Sequence, residues 1–296
     1  MSFWQRLFGK KTKEHLTPDR IKTAPLDPDS LIQPINGEGP RHILVSTSQS
    51  TGMERSHNED SLFAMLGSSS GEEAMPDFGM FIVADGMGGH RSGEVASSLS
   101  VRRVAGKLAR EGLFHIFDVE NNSDPAAMQD LIRSAFEDAN QHVVEQVPGG
   151  GTTLTLAILL GRQLIFGHVG DSRAYLIADG KAKVITRDHS LVERLRELGQ
   201  LTSEEAAVHP QRNVLYRAIG QGANLEVDVL TQPAPRDGYL LICSDGLWGV
   251  LPDERMLQII AAARTPQNAC DDLIKAANDA GGPDNITAIL VYFPPT

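Results

Sequence analysis

The chain has 296 residues with 41% hydrophobic and 22% charged content, enough apolar material for a large layered core and far from the composition of a disordered or fibrous chain. Its 27 basic and 38 acidic side chains leave a formal charge of −11, which argues against a broad nucleic-acid surface and leaves carboxylates free for another use, the holding of divalent cations. Cys243 and Cys270 have no partners at metal-site spacing, which argues against a disulfide framework and a thiolate zinc site.

Residues 1–11, MSFWQRLFGKK, can place Phe3, Trp4, Leu7 and Phe8 on one helical face beside Arg6, Lys10 and Lys11. That is the pattern of a weak membrane-surface or partner-docking segment, and a frayed leader accounts for the same residues, since so short a helix is marginal in water. No run reaches the roughly 18 apolar residues of a membrane span and no secretory signal pattern is present, so the expected location is the cytoplasm. Residues 12–40 carry Pro18, Pro25, Pro28, Pro34 and Pro40 without helical or alternating periodicity. They read as a flexible linker. The expected organisation is therefore a leader and linker over residues 1–40 and a single domain over 41–296.

Within that domain, apolar runs predict strands near 42–49, 60–66, 78–84, 152–160, 163–169, 172–178, 226–230, 238–243 and 286–292. Helices come in pairs. The first is 91–110 with a neighbour beginning at Asp124 and Pro125, where Met128, Leu131, Ile132, Ala135, Phe136, Ala139 and Val143 share one face. The second is 253–263 with 266–280, stopped by Gly281-Gly282-Pro283. Strands, two helices, strands, two helices and a closing strand do not make a strict strand-helix alternation. The order predicts an α+β fold in four layers, two antiparallel sheets face to face with a helix pair outside each.

Four Asp-Gly pairs divide into two kinds. Asp179-Gly180 and Asp237-Gly238 have the polar surroundings of hairpin turns. Asp85-Gly86 and Asp245-Gly246 instead end buried apolar runs and lead into segments unlike a returning strand. A carboxylate at the edge of a core is costly without a cation or several donors, and a following glycine lets a backbone carbonyl approach a metal. Asp60, Asp171 and Asp284 also fall at element ends, so a cluster of Asp85, Asp245 and Asp284 would suit two hard ions bridged by a carboxylate and a water. Arg55 offers a guanidinium that can bind two phosphate oxygens at once, or a plain salt bridge with Glu54 or Glu59.

In order along the chain stand Gly52-Met53-Glu54-Arg55-Ser56-His57-Asn58-Glu59-Asp60, Val83-Ala84-Asp85-Gly86-Met87-Gly88-Gly89-His90 with Gly93-Glu94-Val95-Ala96-Ser97, and Gly151-Thr152-Thr153. Gly170-Asp171-Ser172-Arg173-Ala174-Tyr175, Asp188-His189-Ser190, Ser244-Asp245-Gly246-Leu247-Trp248 and Asp284-Asn285-Ile286-Thr287 follow. The ordered set, from about Arg41 to Phe293, resembles the bacterial members of the PPM family of metal-dependent protein phosphatases, also called protein phosphatase 2C. The resemblance implies the same four-layer fold and a phosphoserine/phosphothreonine phosphatase working through metal-activated water without a phosphoenzyme. It implies that Asp85 bridges two Mn²⁺ or Mg²⁺ ions, that the Gly86 carbonyl binds the first, and that Asp245 and Asp284 complete the second. Asp60 would act through coordinated water, Asp171 would share a third, weaker ion with Asp245, and Arg55 would grip the phosphate. Asp85, Asp245 and Asp284 are thus the expected catalytic residues.

Two departures from the family pattern stand out. Met87 occupies the place of a histidine in animal members, so the general acid is unassigned, His90 being nearby in sequence. Ser50 stands where many bacterial relatives have an aspartate that is not a direct ligand. Residues Asp188 to about Arg212 match the family's variable flap, read either as a lid or as a substrate-selecting element. His42, His115, His142 and His209 read as surface or packed residues. The implied partners are phosphoprotein substrates and a Ser/Thr protein kinase, with the enzyme a monomer. A catalytically silent module of the same fold and a hydrolase of small phosphoesters are the alternatives.

Overall fold

A computed structural model describes residues 42–69, 75–88, 92–113 and 125–295. The leader and linker, including the segment 1–11, lie outside the described residues, as do His90, His115 and Asp124. Arg41–Thr296 forms one compact unit.

The chain begins with strands β1 (Leu44–Ser50), β2 (Ser61–Gly67), β3 (Phe78–Ala84) and β4 (Gly86–Met87), then helices α1 (Ser92–Glu111) and α2 (Pro125–Gln146). Strands β5 (Gly151–Thr152), β6 (Leu154–Leu160), β7 (Gln163–Val169), β8 (Arg173–Ala178) and β9 (Lys181–Val184) follow, then short helices α3 (Leu191–Glu197) and α4 (Ser203–Ala207). The chain closes with β10 (Asp228–Pro233), β11 (Gly238–Cys243), α5 (Asp245–Trp248), α6 (Asp253–Ala262), α7 (Pro266–Asp279) and β12 (Ile286–Phe293). One sheet has the order β1-β12-β11-β8-β9 and the other β10-β7-β6-β3-β2, every pairing being antiparallel.

Burial explains why the strands read as continuous apolar runs. In β3, Met80, Ile82 and Ala84 pack toward α1 and α2 with Ile132, Phe136 and Val143, while Phe81 and Val83 pack toward the other sheet. In β11, Leu241 and Cys243 face the α6–α7 layer with Met256 and Leu273, while Leu240 and Ile242 meet Phe81, Val83 and Phe166 between the sheets. Each central strand is thus covered on both faces, and three apolar interlayers make the predicted α-β-β-α sandwich. Helix ends follow local chemistry: Thr265 caps α7 by accepting from the Asn268 amide, Pro266 opens it, and Gly281 and Gly282 at positive φ stop it as expected. No described helix is long and apolar enough to cross a membrane.

Three local expectations are corrected. The predicted strand 152–160 is broken at Thr153, whose amide leaves the ladder to bind the Asp85 carbonyl at 2.9 Å. The strand expected at 226–230 is β10, shifted to Asp228–Pro233, and the edge strand β9, short and charged, carries no apolar pattern that would predict it. Asp179-Gly180 is a β8–β9 hairpin with both residues at positive φ, but Asp237-Gly238 is not a hairpin: it joins β10 in one sheet to β11 in the other. Glycine is required at 238 for a different reason. A Cβ there would stand 2.1 Å from the Ile177 carbonyl oxygen of the neighbouring strand.

Gly238→Ala should therefore destabilise the fold by about 1–3 kcal/mol, the cost of forcing backbone apart in a packed sheet. Gly222→Ala, where an added Cβ meets nothing within 4 Å, should be nearly silent. Urea unfolding of the two variants beside the parent checks this, and equal effects would contradict the close approach of Gly238 to Ile177.

Candidate active site

Antiparallel pairing brings the start of one strand beside the end of its neighbour. Ser61, following Asp60, pairs with Ala84, preceding Asp85, and Cys243 at the end of β11 pairs with Ala288 near the start of β12. Asp245 follows β11, Asp284 precedes β12, and Asp171 lies in the turn between β7 and β8. The carboxylates of Asp60, Asp245, Asp171 and Asp284 all act electrostatically on Asp85, so the five predicted side chains do gather at one end of the sandwich.

The loops that carry them interlock with almost no free space. A Cβ on Gly86 would meet the Gly93 and Glu59 carbonyl oxygens at 2.4 and 2.5 Å, one on Gly246 the Asn285 carbonyl at 2.0 Å, and one on Gly52 the Asp284 carbonyl at 2.1 Å. The glycine of each Asp-Gly exit is thus needed for close backbone approach. Asn285 ties the loops together. Its amide nitrogen donates to the carbonyls of Thr51 and His57 at 2.8 and 2.9 Å, its amide oxygen accepts from the Glu59 N–H at 2.7 Å, and its own N–H donates to Asp284 Oδ1 at 2.8 Å.

Burial and mutual repulsion dominate the electrostatics. Burial pushes Asp60 up to about 7, with repulsion from Asp245 and Asp284 adding to it and hydrogen bonds from Thr287 and Ser244 opposing it. Those hydroxyls donate to Asp60 Oδ2 at 2.6 and 2.8 Å. Asp245 is raised to about 6 by burial and by Asp284, against a hydrogen bond from Asp85 and the charge of Arg55. Asp85 and Asp171 are held well above the usual carboxylate range by burial and then by their acidic neighbours. Among the described residues, the buried oxygens Asp60 Oδ1 and Asp245 Oδ1 have no hydrogen-bond partner. Arg55 does not pair with Glu54 or Glu59 in a salt bridge; its Nη2 binds Asp284 Oδ2 at 2.7 Å, half exposed at the rim.

Several residues at the site had no role assigned from sequence. Thr152 Oγ1 donates to the Asp85 carbonyl at 2.8 Å and the Asp85 N–H donates to Thr153 Oγ1 at 2.9 Å, clamping the carboxylate's backbone. Trp248 Nε1 donates to the Asp171 carbonyl at 3.0 Å, and the Arg173 guanidinium lies 3.6 Å over the Trp248 ring while clasping Asp188. The available signal was a hydroxyl or amide amid buried apolar residues, as Thr287 and Ser244 are, which requires a partner. Ser50, the departure noted above, bonds Asn278 and the Gly52 N–H, outside the carboxylate cluster.

The protein phosphatase 2C model matches residues 45–286, a span that contains every carboxylate of the cluster. The chain belongs to the protein phosphatase 2C family. It is 36% identical over 247 residues to the serine/threonine phosphatase stp of Listeria monocytogenes, covering 81% of this chain and 92% of that protein. The serine/threonine phosphatase of S. agalactiae superposes with a TM-score of 0.72 at 32% identity, over 85% of this chain and 100% of that one. The catalytic domain of PstP, solved in complex with 2 manganese ions, superposes with a TM-score of 0.67 at 31% identity, over 84% and 97% of the two chains.

The donor set of this protein phosphatase 2C domain fits hard divalent cations. Its oxygens are carboxylate and carbonyl, two of the buried ones lack any partner, and several carboxylates repel one another with one guanidinium at their edge. Among the described residues no three His, Cys, Asp or Glu side chains close around a single point. A hard cation such as Mg²⁺ does not require that, since it keeps several waters and takes only one or two carboxylates.

The raised carboxylates make a signed prediction. Asp60 and Asp245 titrate at about 7 and about 6 in the fold against an ordinary 3.8, so between those values the folded chain holds more protons than the unfolded one. The stability these two groups contribute is full below the ordinary value and is lost as pH rises through the folded ones. Thermal melting with EDTA present should give a higher midpoint near pH 5 than near pH 7.5. The reverse order would mean that the carboxylates are already neutralised by other means.

Proposed function

We propose that this phosphatase hydrolyses phosphoserine and phosphothreonine in protein substrates with Mn²⁺ or Mg²⁺ held by Asp60, Asp85, the Gly86 carbonyl, Asp171, Asp245 and Asp284. The observation that carries the reading is the convergence of repelling, buried carboxylates with unpartnered oxygens. In this reading Asp85, Asp245 and Asp284 hold two core ions, Asp60 acts through coordinated water, and Asp171 with Asp245 serves a third. When bound, such ions supply a hydroxide near neutral pH and neutralise phosphate oxygens, with no covalent phosphoenzyme.

The chain's own groups do the positioning. Arg55 commits Nη2 to Asp284, and its remaining N–H donors can bind two oxygens of a phosphate at the rim. Ser244 and Thr287 hold Asp60 by one oxygen only, and the Thr152-Thr153 clamp fixes Asp85. The leaving alkoxide needs a proton from a metal-bound water or a nearby acid; Met87, where animal members have histidine, cannot donate one. We place the enzyme in the cytoplasm as a monomer opposing a Ser/Thr protein kinase. No described helix is long and apolar enough to cross a membrane.

Hydrolysis of an aryl phosphate and a phosphothreonine peptide, with Mn²⁺ and then with chelator, tests the reading. Metal-dependent turnover of both is expected; no turnover would indicate a silent module, and turnover of the aryl ester alone a small-phosphoester hydrolase. Asp85→Ala and Asp245→Ala should each abolish turnover with a folded-state circular dichroism spectrum retained. Arg55→Ala should raise KM, by roughly ten-fold or more if charge-assisted phosphate bonds are lost.

The bracing residues give a separate check. Thr287→Val should weaken metal activation by about 10–100-fold, as loss of a ligand's supporting hydrogen bond does elsewhere. A metal titration of activity reads this, and an unchanged midpoint would remove Asp60 from the metal site.

A further inference from the structure

Beside the flap lies an open cavity of about 760 Å³ that the carboxylate cluster does not use, lined by Arg187, Arg194 and Arg217 with Tyr216 and Glu226 among its neighbours. In a chain of formal charge −11, three guanidiniums around one cavity are unusual, and although Glu197, Glu226 and Asp228 balance them in number, the cationic excess lies on the side of Arg187 and Arg194. Their pairing is uneven. Arg187 Nη2 and Arg194 Nη1 both donate to the same atom, Glu197 Oε2, so one carboxylate serves two cations. Both side chains stay about half exposed, at 48% and 54%. A guanidinium carries five N–H donors, so most of their capacity is unspent. Arg217 differs, since it is 20% exposed and engaged with Asp228, His189 and Glu226 as the wall of the cavity.

The cavity is joined to the catalytic end by short links. His189 Nδ1 accepts from the Gly170 N–H at 3.1 Å and the His189 N–H donates to the Gly170 carbonyl at 2.7 Å, immediately before Asp171. On the other side of the ring, His189 Nε2 meets Asp228 and Arg217. Asp188, next to Arg187, holds Arg173, which neighbours Asp171. Arg217 of the cavity is thus two hydrogen bonds from the Gly170 backbone that leads into Asp171.

We propose that the cavity is a subsite for an anionic side chain of the phosphoprotein, gripped by Arg187 and Arg194 and flanking the residue to be dephosphorylated. The proposal rests on the phosphatase reading above and adds to it a substrate class, acidic or multiply phosphorylated segments. Planar guanidiniums recognise carboxylate and phosphate through the same paired bonds, so a glutamate or aspartate and a second phosphoresidue are the two sources of this chemistry. An uncharged segment in the same place would leave guanidinium donors desolvated and unpaired, which is unfavourable.

The test compares the full chain with the double variant Arg187→Gln/Arg194→Gln, which removes both charges and leaves Arg217 and the carboxylates in place. Its substrates are an aryl phosphate and three phosphothreonine peptides, one with neutral flanks, one with glutamate flanks and one with a second phosphothreonine. The double variant should lose about ten-fold in kcat/KM on the anionic peptides, close to 1.4 kcal/mol, entirely through KM. The aryl phosphate and the neutral peptide should be unaffected, and the anionic peptide that loses more identifies the source. Glu197→Gln, which releases both guanidiniums, should lower KM for the anionic peptides. Equal losses on all peptides, no loss on either anionic peptide, or a raised KM in Glu197→Gln overturns the proposal. Should the parent chain hydrolyse nothing, the phosphatase reading fails separately. The subsite is then judged by fluorescence anisotropy of the labelled glutamate-flanked peptide, where binding equal in parent and double variant overturns it.

Discussion

Repulsion among buried carboxylates is the constraint around which this end of the molecule is built. Asp60, Asp85, Asp171 and Asp245 are held above ordinary carboxylate behaviour by burial, with acidic neighbours adding to it. A chain would relieve such strain by letting the loops part, and the loops here are prevented from parting by contacts that admit no side chain at Gly86, Gly246 and Gly52. Asn285 adds directional bonds to three backbone groups of the β1–β2 loop, at Thr51, His57 and Glu59. The cluster is thus a preorganised negative cavity rather than a set of surface acids, and a cation entering it gains from charges the fold has already assembled.

Much of this was legible in the residues. The four-layer order followed from paired helices between runs of strands, and the runs were continuous because β3, β6, β11 and β12 are apolar on both faces. The Asp-Gly exits at 85 and 245 were separable from turns because apolar strands precede them and no return strand follows. The same logic failed at Asp237-Gly238, which has the local composition of a hairpin. Which sheet the next strand joins is decided by packing between layers, and the glycine's real requirement, the approach to Ile177, is set by a strand some sixty residues earlier. Thr153 broke an otherwise regular strand for a comparable reason, its polar groups being drawn to Asp85. Arg55 offered two acidic neighbours in sequence and paired with a third, Asp284, that only the fold brings near.

The supporting hydroxyls show how specificity is built into an apolar frame. Ser244, Thr287, Thr152 and Thr153 are fully or almost fully buried, and a hydroxyl in that position is unfavourable unless bonded. Each is bonded, and each has at least one bond to a carboxylate or to the backbone that carries one. Ser244 and Thr287 both choose Asp60 Oδ2, which leaves Oδ1 as the atom without a protein partner. The hydroxyls therefore do two things at once: they lower the cost of burying Asp60 and they decide which of its oxygens is spent.

The bracing falls into two sets of bonds that meet at α5. Asp60 and Asp284 are held by Asn285, Ser244 and Thr287, groups of the sheet ends themselves. Asp171 is held by Trp248 from α5 and, through Gly170 and Arg173, by His189 and Asp188 at the base of the flap. The flap carries exposed apolar side chains, Leu198 and Val208, with Val214 and Tyr216 exposed just after it, and no residue of α3 is buried. With so little packing beneath it, the flap depends on polar links at its base, and those links lead to Asp171 and not to the Asn285 system. The bonds of Asn285 end instead on the β1–β2 loop and on Asp284, and the two sets meet at α5, where Trp248 reaches the Asp171 carbonyl and Gly246 fits closely against the Asn285 carbonyl.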